Sequence, residues 1–316
     1  MNRRQPFITE SYYRAAITFF DETSDRWANQ KMQADTPEQE LALRAAHFKD
    51  TTLDGLFLCY TAGDSIEALP TRLEQLIKDY ETYQHALAAQ EQMPDISPLA
   101  IDEWPGEYEE CVQVISLCIL FHRTDLLQRF VALLDQAGYA GDDTLYEDLL
   151  RKVLPNRTDL DEWYHDLYTP LIQAIYAPTP EEASGLLKQY CNQWYSSFAD
   201  LQTSWHDSHL DIEGDEGSYV GYWAFEAGAI AYLYNIDDSQ IDHMVYPKDL
   251  VAYTRSNTPK HNPPGPVHAG QPCTHTGYWF SPAQHNSRRH FTLGEIMPEF
   301  KDSPWGATVW YWSSAT

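Results

Sequence analysis

Through the first 255 residues the hydrophobic positions recur at helical spacing, with little strand-like alternation. Phe7 to Asn29 carries Tyr12, Tyr13, Ile17, Phe20 and Trp27 near a helical period. Thr36-Pro37-Glu38-Gln39 is a helix-start signature, with Thr as cap and Pro in the first turn, for a segment running to Tyr60. Ser65 to Gln90 follows, with Leu69, Leu73, Leu76, Ile77 and Tyr80 on one face; Pro70 either kinks this helix or marks its start. Two more helices, Glu107 to His122 and Thr124 to Gln136, are expected after the break at Met93–Pro98, and the second stops at Gly138. The pattern resumes over Leu145–Leu154, Leu160–Ala177, Pro178 to about Ser208, Tyr219–Tyr234 and Pro247–Thr254.

From Ser256 onward the pattern breaks. Eight of the 19 prolines and four of the ten tryptophans fall in this stretch. Proline at that density excludes helices, while aromatic richness argues against a disordered tail. The expectation is an ordered, irregular extension packed on the helical body, with one or two short strands, the clearest at Ala307–Trp312. The fold class is therefore all-α, an antiparallel helical bundle of two helical subdomains, residues 1–138 and 139–255, with the 256–316 extension attached.

Charge narrows the function. The 316 residues carry 47 Asp and Glu against 21 Lys and Arg, a formal net charge of −26. Residues 1–255 account for −27 of it, and the extension is nearly neutral at +1. Such a field repels phosphate backbones and anionic lipid heads, which argues against direct nucleic-acid or membrane binding and favours basic proteins or cationic ligands. The N-terminal stretch lacks the apolar run of a secretory signal. Val112–Phe121, the most apolar segment, is about half the length of a membrane span and reads as a core helix. Five scattered cysteines, Cys59, Cys111, Cys118, Cys191 and Cys273, fit buried thiols of a cytoplasmic protein.

Two constellations could carry chemistry. His206 and His209, three apart, can share a helical face, with Asp207, Asp211 and Glu213 as further ligands, the pattern of a metal-dependent hydrolase. Cys273 lies near His268, His275, His285 and His290, but a Cys–His nucleophile also needs an orienting third group. No P-loop, G-x-S-x-G, G-x-G-x-x-G or H-E-x-x-H motif is present. Neither constellation makes an enzyme the leading reading, and no cofactor is implied. The sharpest feature is the apolar stretch Tyr219 to Ile230, read as a central helix in which Gly221 and Gly228 admit close neighbours. Glu226 within it needs a core Arg, Tyr and Trp donors, or a proton.

Several segments taken together resemble a known family. They are Trp194-Tyr195-Ser196-Ser197, Trp205-His206-Asp207-Ser208-His209, Tyr219-Val220-Gly221-Tyr222-Trp223-Ala224-Phe225-Glu226, Ile236-Asp237-Asp238-Ser239 and Tyr246-Pro247-Lys248-Asp249-Leu250-Val251. In order, spacing and Tyr/Trp content this run of about 60 residues is similar to the PoNi immunity proteins, which are paired with nuclease toxins of polymorphic and type VI secretion systems. Val220 stands where that family usually carries a smaller residue or Tyr. Residues 7–138 are similar in style to the family's first domain. Gly270-Gln271-Pro272-Cys273-Thr274-His275-Thr276-Gly277-Tyr278-Trp279 resembles a G-x-x-C-P-x-[ST]-G-x-W segment that ends several secretion-associated immunity proteins, with Thr274 in place of the usual Pro.

The resemblance implies a cytoplasmic, helical, non-catalytic protein that binds and neutralises a nuclease effector with a basic surface. Oligomeric state stays open, a dimer being one arrangement. A nuclease cleft is basic because it holds a polyanion, so an acidic inhibitor gains steered association there. Five acids within ten residues, Asp207, Asp211, Glu213, Asp215 and Glu216, make the expected partner-binding surface. Tyr219, Gly221, Tyr222, Trp223 and Glu226 form the structural signature beside it.

Overall fold

The computed structural model describes residues 1–316 except 28–29, 202, 204, 259–264, 285–286, 302–307 and 315–316. Among the described residues, ten helices precede a small antiparallel sheet, so the chain is mostly helical. It divides into two compact units, Met1–Thr258 and Pro259–Thr316.

Helix starts follow the local chemistry. Helix α1 spans Glu10–Trp27 and α2 spans Pro37–Ala62. The Thr36 hydroxyl accepts the Gln39 N–H at the start of α2, and Pro37 supplies a first-turn residue whose missing donor costs nothing. Gly63 ends α2 in the left-handed region, at φ +90°, where a Cβ would lie 1.9 Å from the Asn2 carbonyl oxygen. Pro70 marks the start of α3 (Leu69–Glu91), not a kink. Helix α4 (Pro105–Leu120) is buried on nearly every side from Tyr108 onward. It packs against α5 (Thr124–Asp135), which also touches α3.

Helix α6 (Thr144–Leu150) is capped by Asp143, which accepts the Tyr146 N–H at 2.8 Å. Helices α7 (Thr169–Tyr176) and α8 (Pro180–Ser197) pack together as neighbours in sequence. Thr179 caps α8 as Thr36 caps α2. Helix α9 (Phe225–Leu233) sits against α4, α6, α7, α8 and α10 (Lys248–Ser256). Helices α4 and α9 are therefore the axis of the body, wrapped by the others. No helix among the described residues is long and apolar enough to cross a membrane. All five cysteines are buried and unpaired with one another.

Several helices are shorter than expected, α6 among them, which stops at Leu150 instead of Leu154. The 160–177 segment is helical only from Thr169, after a 3-10 turn at Asp166–Tyr168, and α8 stops at Ser197 instead of near Ser208. The largest correction is at 219–234, where Tyr219–Ala224 is not helical and the helix begins at Phe225. Apolar residues on all sides fit a buried extended segment as well as a buried helix, and periodicity cannot separate the two.

Among its described residues the second unit holds four strands, beyond the one or two expected: β1 (Val267–His268), β2 (Gly277–Phe280), β3 (Arg289–Phe291) and β4 (Val309–Ser314). They lie in the order β1-β4-β2-β3, all antiparallel, with Val267 opposite Trp310 and Trp279 opposite Arg289. Val267, Cys273, Trp279, Phe291, Met297 and Trp310 form its own small core. His285 and Ala307, both named in the sequence reading of this stretch, lie outside the described residues.

Candidate partner-binding site

The signature stretch is a frame built from side chains borrowed from distant parts of the chain. Gln5, buried near the N-terminus, donates from Nε2 to the Tyr222 carbonyl at 2.6 Å and to the Met244 carbonyl at 2.9 Å. Its Oε1 accepts the Tyr222 N–H at 2.9 Å and the Tyr219 hydroxyl. Tyr12 donates to the Tyr219 carbonyl, and Thr61 donates to the Val220 carbonyl at 2.6 Å. A buried, non-helical segment cannot satisfy its own backbone, so these side chains replace the missing ladder. Gly221 sits at φ +133°, and a Cβ there would lie 2.1 Å from Thr61 Oγ1. It serves a positive-φ backbone conformation packed against Thr61 and Trp223. Gly228 is the glycine that admits neighbours, since a Cβ there would stand 2.9 Å from both Pro247 and Val251.

Two carboxylates are buried beside this frame. Glu226 is fully buried, and its Oε1 accepts the Tyr190 hydroxyl at 2.7 Å and the Trp194 indole N–H at 2.9 Å, the Tyr and Trp donors foreseen from sequence. Oε2 has no partner. Burial pushes the group up to about 7 against the pull of these donors. Glu109 on α4 accepts the Trp205 indole N–H at 2.7 Å and the Gln113 amide at 2.7 Å. Burial, helped by the charge of Glu226, holds it well above the usual carboxylate range. Trp194 and Trp205 stack at 5.0 Å, so the two acids are held by one pair of rings.

The proposed histidine ligands do not converge. Asp207 takes a left-handed turn at φ 62°, which ends any shared helical face; only Ser208–Asp211 forms a 3-10 turn. His206 stacks on Tyr195 at 4.3 Å, whereas the His209 Nδ1 meets the Tyr222 hydroxyl at 2.7 Å and its ring packs on Phe7. Among the described residues, no three His, Cys, Asp or Glu side chains come together as a metal site. Cys273 likewise points its buried thiol at the His275 backbone carbonyl, at 3.0 Å, and not at an imidazole.

The acidic stretch is open. Asp207 accepts the Tyr195 hydroxyl, which holds its carboxyl below the ordinary value. Beyond it, Glu213 and Glu216 exchange backbone hydrogen bonds at 3.0 and 3.1 Å across Gly214-Asp215, a tight turn. Asp211, Glu213, Asp215 and Glu216 are all exposed and none forms an ion pair among the described residues. The turn is fixed by backbone geometry while its charges are left to solvent.

Sequence reasoning missed a second acidic feature. A cleft of about 570 Å³ opens between α2, the start of α4 and the signature segment. Asp50, Asp54, Glu107, Glu109 and Glu110 line it, with Phe57, Trp104, Trp194, Trp205 and Trp223. Lys49 pairs with Glu110 at 2.5 Å and with Asp50 at 2.7 Å. Asp54 accepts no hydrogen bond and forms no ion pair among the described residues; burial, Asp50 and Glu110 push it up to about 7. The signal was present in the sequence as Asp50 and Asp54 four apart on α2, one turn of a helix, and as the run Trp104-Pro105-Gly106-Glu107-Tyr108-Glu109-Glu110. What brings the two together is tertiary.

Comparison with known families decides the relationship. The model of the N-terminal region of PoNe immunity proteins matches residues 4–132, and that of their C-terminal region matches residues 141–250. The chain belongs to the PoNi family. Its function is accordingly that of an immunity protein directed at a nuclease toxin. No curated protein matches the chain. Among solved structures it is similar to protein PA2201 from Pseudomonas aeruginosa, with a TM-score of 0.60 and 21% identity, over 82% of this chain and 93% of that one. That likeness is one of fold. In this PoNi protein the acidic cleft lies where the two matched regions meet, with α2 and α4 from the first and Trp194, Trp205 and Trp223 from the second.

Proposed function

We propose that this PoNi protein neutralises a nuclease effector delivered by a type VI secretion system, acting in the cytoplasm as a non-catalytic inhibitor that covers the toxin's basic DNA-binding or active-site surface. Family membership over both regions carries the reading. The distribution of charge supports it: −26 overall, with four exposed carboxylates, Asp211, Glu213, Asp215 and Glu216, held on a rigid turn without cationic partners among the described residues. Such a surface gains steered, fast association with a basic nuclease face and competes directly with DNA. Asp207 extends the same patch.

The experiment is protection in cells. The cognate nuclease effector is expressed in a bacterial host with the wild-type protein or with the D211S/E213S/D215S/E216S variant. Survival with the wild type and killing with the variant, at equal protein levels, is expected. Equal survival with both would remove the turn from the interface, and killing with both would defeat the immunity reading itself.

A further inference from the structure

We infer that the cleft between α2, α4 and the signature segment receives an arginine side chain of the toxin, so that the interface is anchored there as well as steered by the acidic turn. The inference rests on the immunity reading above and adds the place and the chemistry of the anchor.

Three observations converge on a cationic guest. The first is shape: about 570 Å³ lies within the range of sites that enclose a ligand instead of presenting a flat face. The second is an incomplete charge balance. Five carboxylates line the cleft, and Lys49 answers two of them, Asp50 and Glu110. Glu109 and Glu107 accept hydrogen bonds from Trp205, Gln113 and the Ala100 N–H. Asp54 has no hydrogen-bond donor or ion pair among the described residues; Asp50 and Glu110 press on it, and the charge of Lys49 offsets them only in part. A folded protein that half-buries a carboxylate without a partner leaves it poised for one from outside. The third is the aromatic lining. Trp104 stands 59% exposed at the opening, among the most exposed large apolar side chains of the protein, and Trp205 and Trp223 lie within.

Arginine suits this combination better than lysine. Its guanidinium is planar, stacks on indole faces and offers several donors to carboxylates at once. Tryptophan and arginine are also the residues most often found as binding anchors at protein interfaces. In sequence the lining of the cleft brackets the acidic turn: Trp205 comes before the turn and Val220 after it. One partner surface carrying a projecting arginine within a basic field would engage both.

The test measures the dissociation constant between the purified full-length protein and the cognate nuclease effector, for the wild type, for W104A/D54N and for D54N alone. Trp104 is exposed and Asp54 lacks a partner, so both variants keep the fold, checked by circular dichroism and melting temperature. Expected are roughly 30-fold weaker binding for the double variant and roughly tenfold for D54N, both through faster dissociation. Binding of both variants within about threefold of the wild type would overturn the cleft as the anchor and leave the immunity reading standing. Absence of a wild-type complex would defeat the immunity reading and the anchor with it.

Discussion

Two regions separated by a few residues use the same chemical group in opposite ways. Beneath the signature segment, Glu226 and Glu109 are buried and held by indole, phenol and amide donors. On the adjoining turn, Asp211, Glu213, Asp215 and Glu216 keep their water and meet no cation among the described residues. The first pair costs desolvation and gives a rigid, uniquely oriented frame. The second set costs nearly nothing to hold and can be given up to a partner. The residues of the signature segment are thus scaffold, and those with free charge lie next to them.

This contrast breaks most severely at Gly221. Adding a single methyl, in G221A, drives Cβ into Thr61 Oγ1 and disrupts the Thr61 contacts to Val220 and Trp223. A loss of about 3–5 kcal/mol is expected in urea unfolding. Q5A comes next: it strips the partners of the Tyr222 backbone and the Tyr219 hydroxyl in a buried site, for a loss of about 2–3 kcal/mol.

A milder test is pH. Glu226 is raised from 4.5 to about 7, so the folded state holds its proton where the unfolded chain has released it. Its contribution is greatest below pH 4.5 and falls as the pH rises through about 7, by up to ~1.4 kcal/mol per pH unit in that window. In E226Q the amide oxygen still accepts from Tyr190 and Trp194, and the slope between pH 4.5 and 7 should shrink. It should not vanish, because Glu109 is raised in the same direction. An unchanged slope would mean that Glu226 is ionised in the fold. Smallest of all is the stability effect of D211S/E213S/D215S/E216S, within about 0.5 kcal/mol of the wild type, since these side chains hold nothing. A large loss there would erase the distinction between scaffold and free charge.

Much of this was legible from the chain alone. Helix starts at Thr36-Pro37 and Thr179-Pro180 were readable because capping is a local transaction between residues three apart. The buried helix at α4 was readable from its high apolar content, and for Glu226 the sequence left a core Arg or Tyr and Trp donors as alternatives, of which the structure has the second. The non-helical form of Tyr219–Ala224 was not readable, because Gln5, Tyr12 and Thr61, which satisfy its backbone, lie more than 150 residues away in sequence. The supposed shared face of His206 and His209 failed for a local reason, the left-handed turn at Asp207. Asp54 was illegible as a site residue for the opposite reason: it looks like any exposed helix acid until α4 and Trp205 close over it.

Inhibition of a nuclease by binding it through carboxylates, with no chemistry on the inhibitor's side, has a simple readout. Cleavage of duplex DNA by the purified effector is followed as this protein is titrated in, at low and at high salt. Cleavage should cease near one equivalent, and the affinity should weaken as salt screens the acidic surface. Undiminished cleavage at tenfold excess, or inhibition that continues to grow with incubation time at substoichiometric amounts, as an enzyme acting on the toxin would produce, would contradict it.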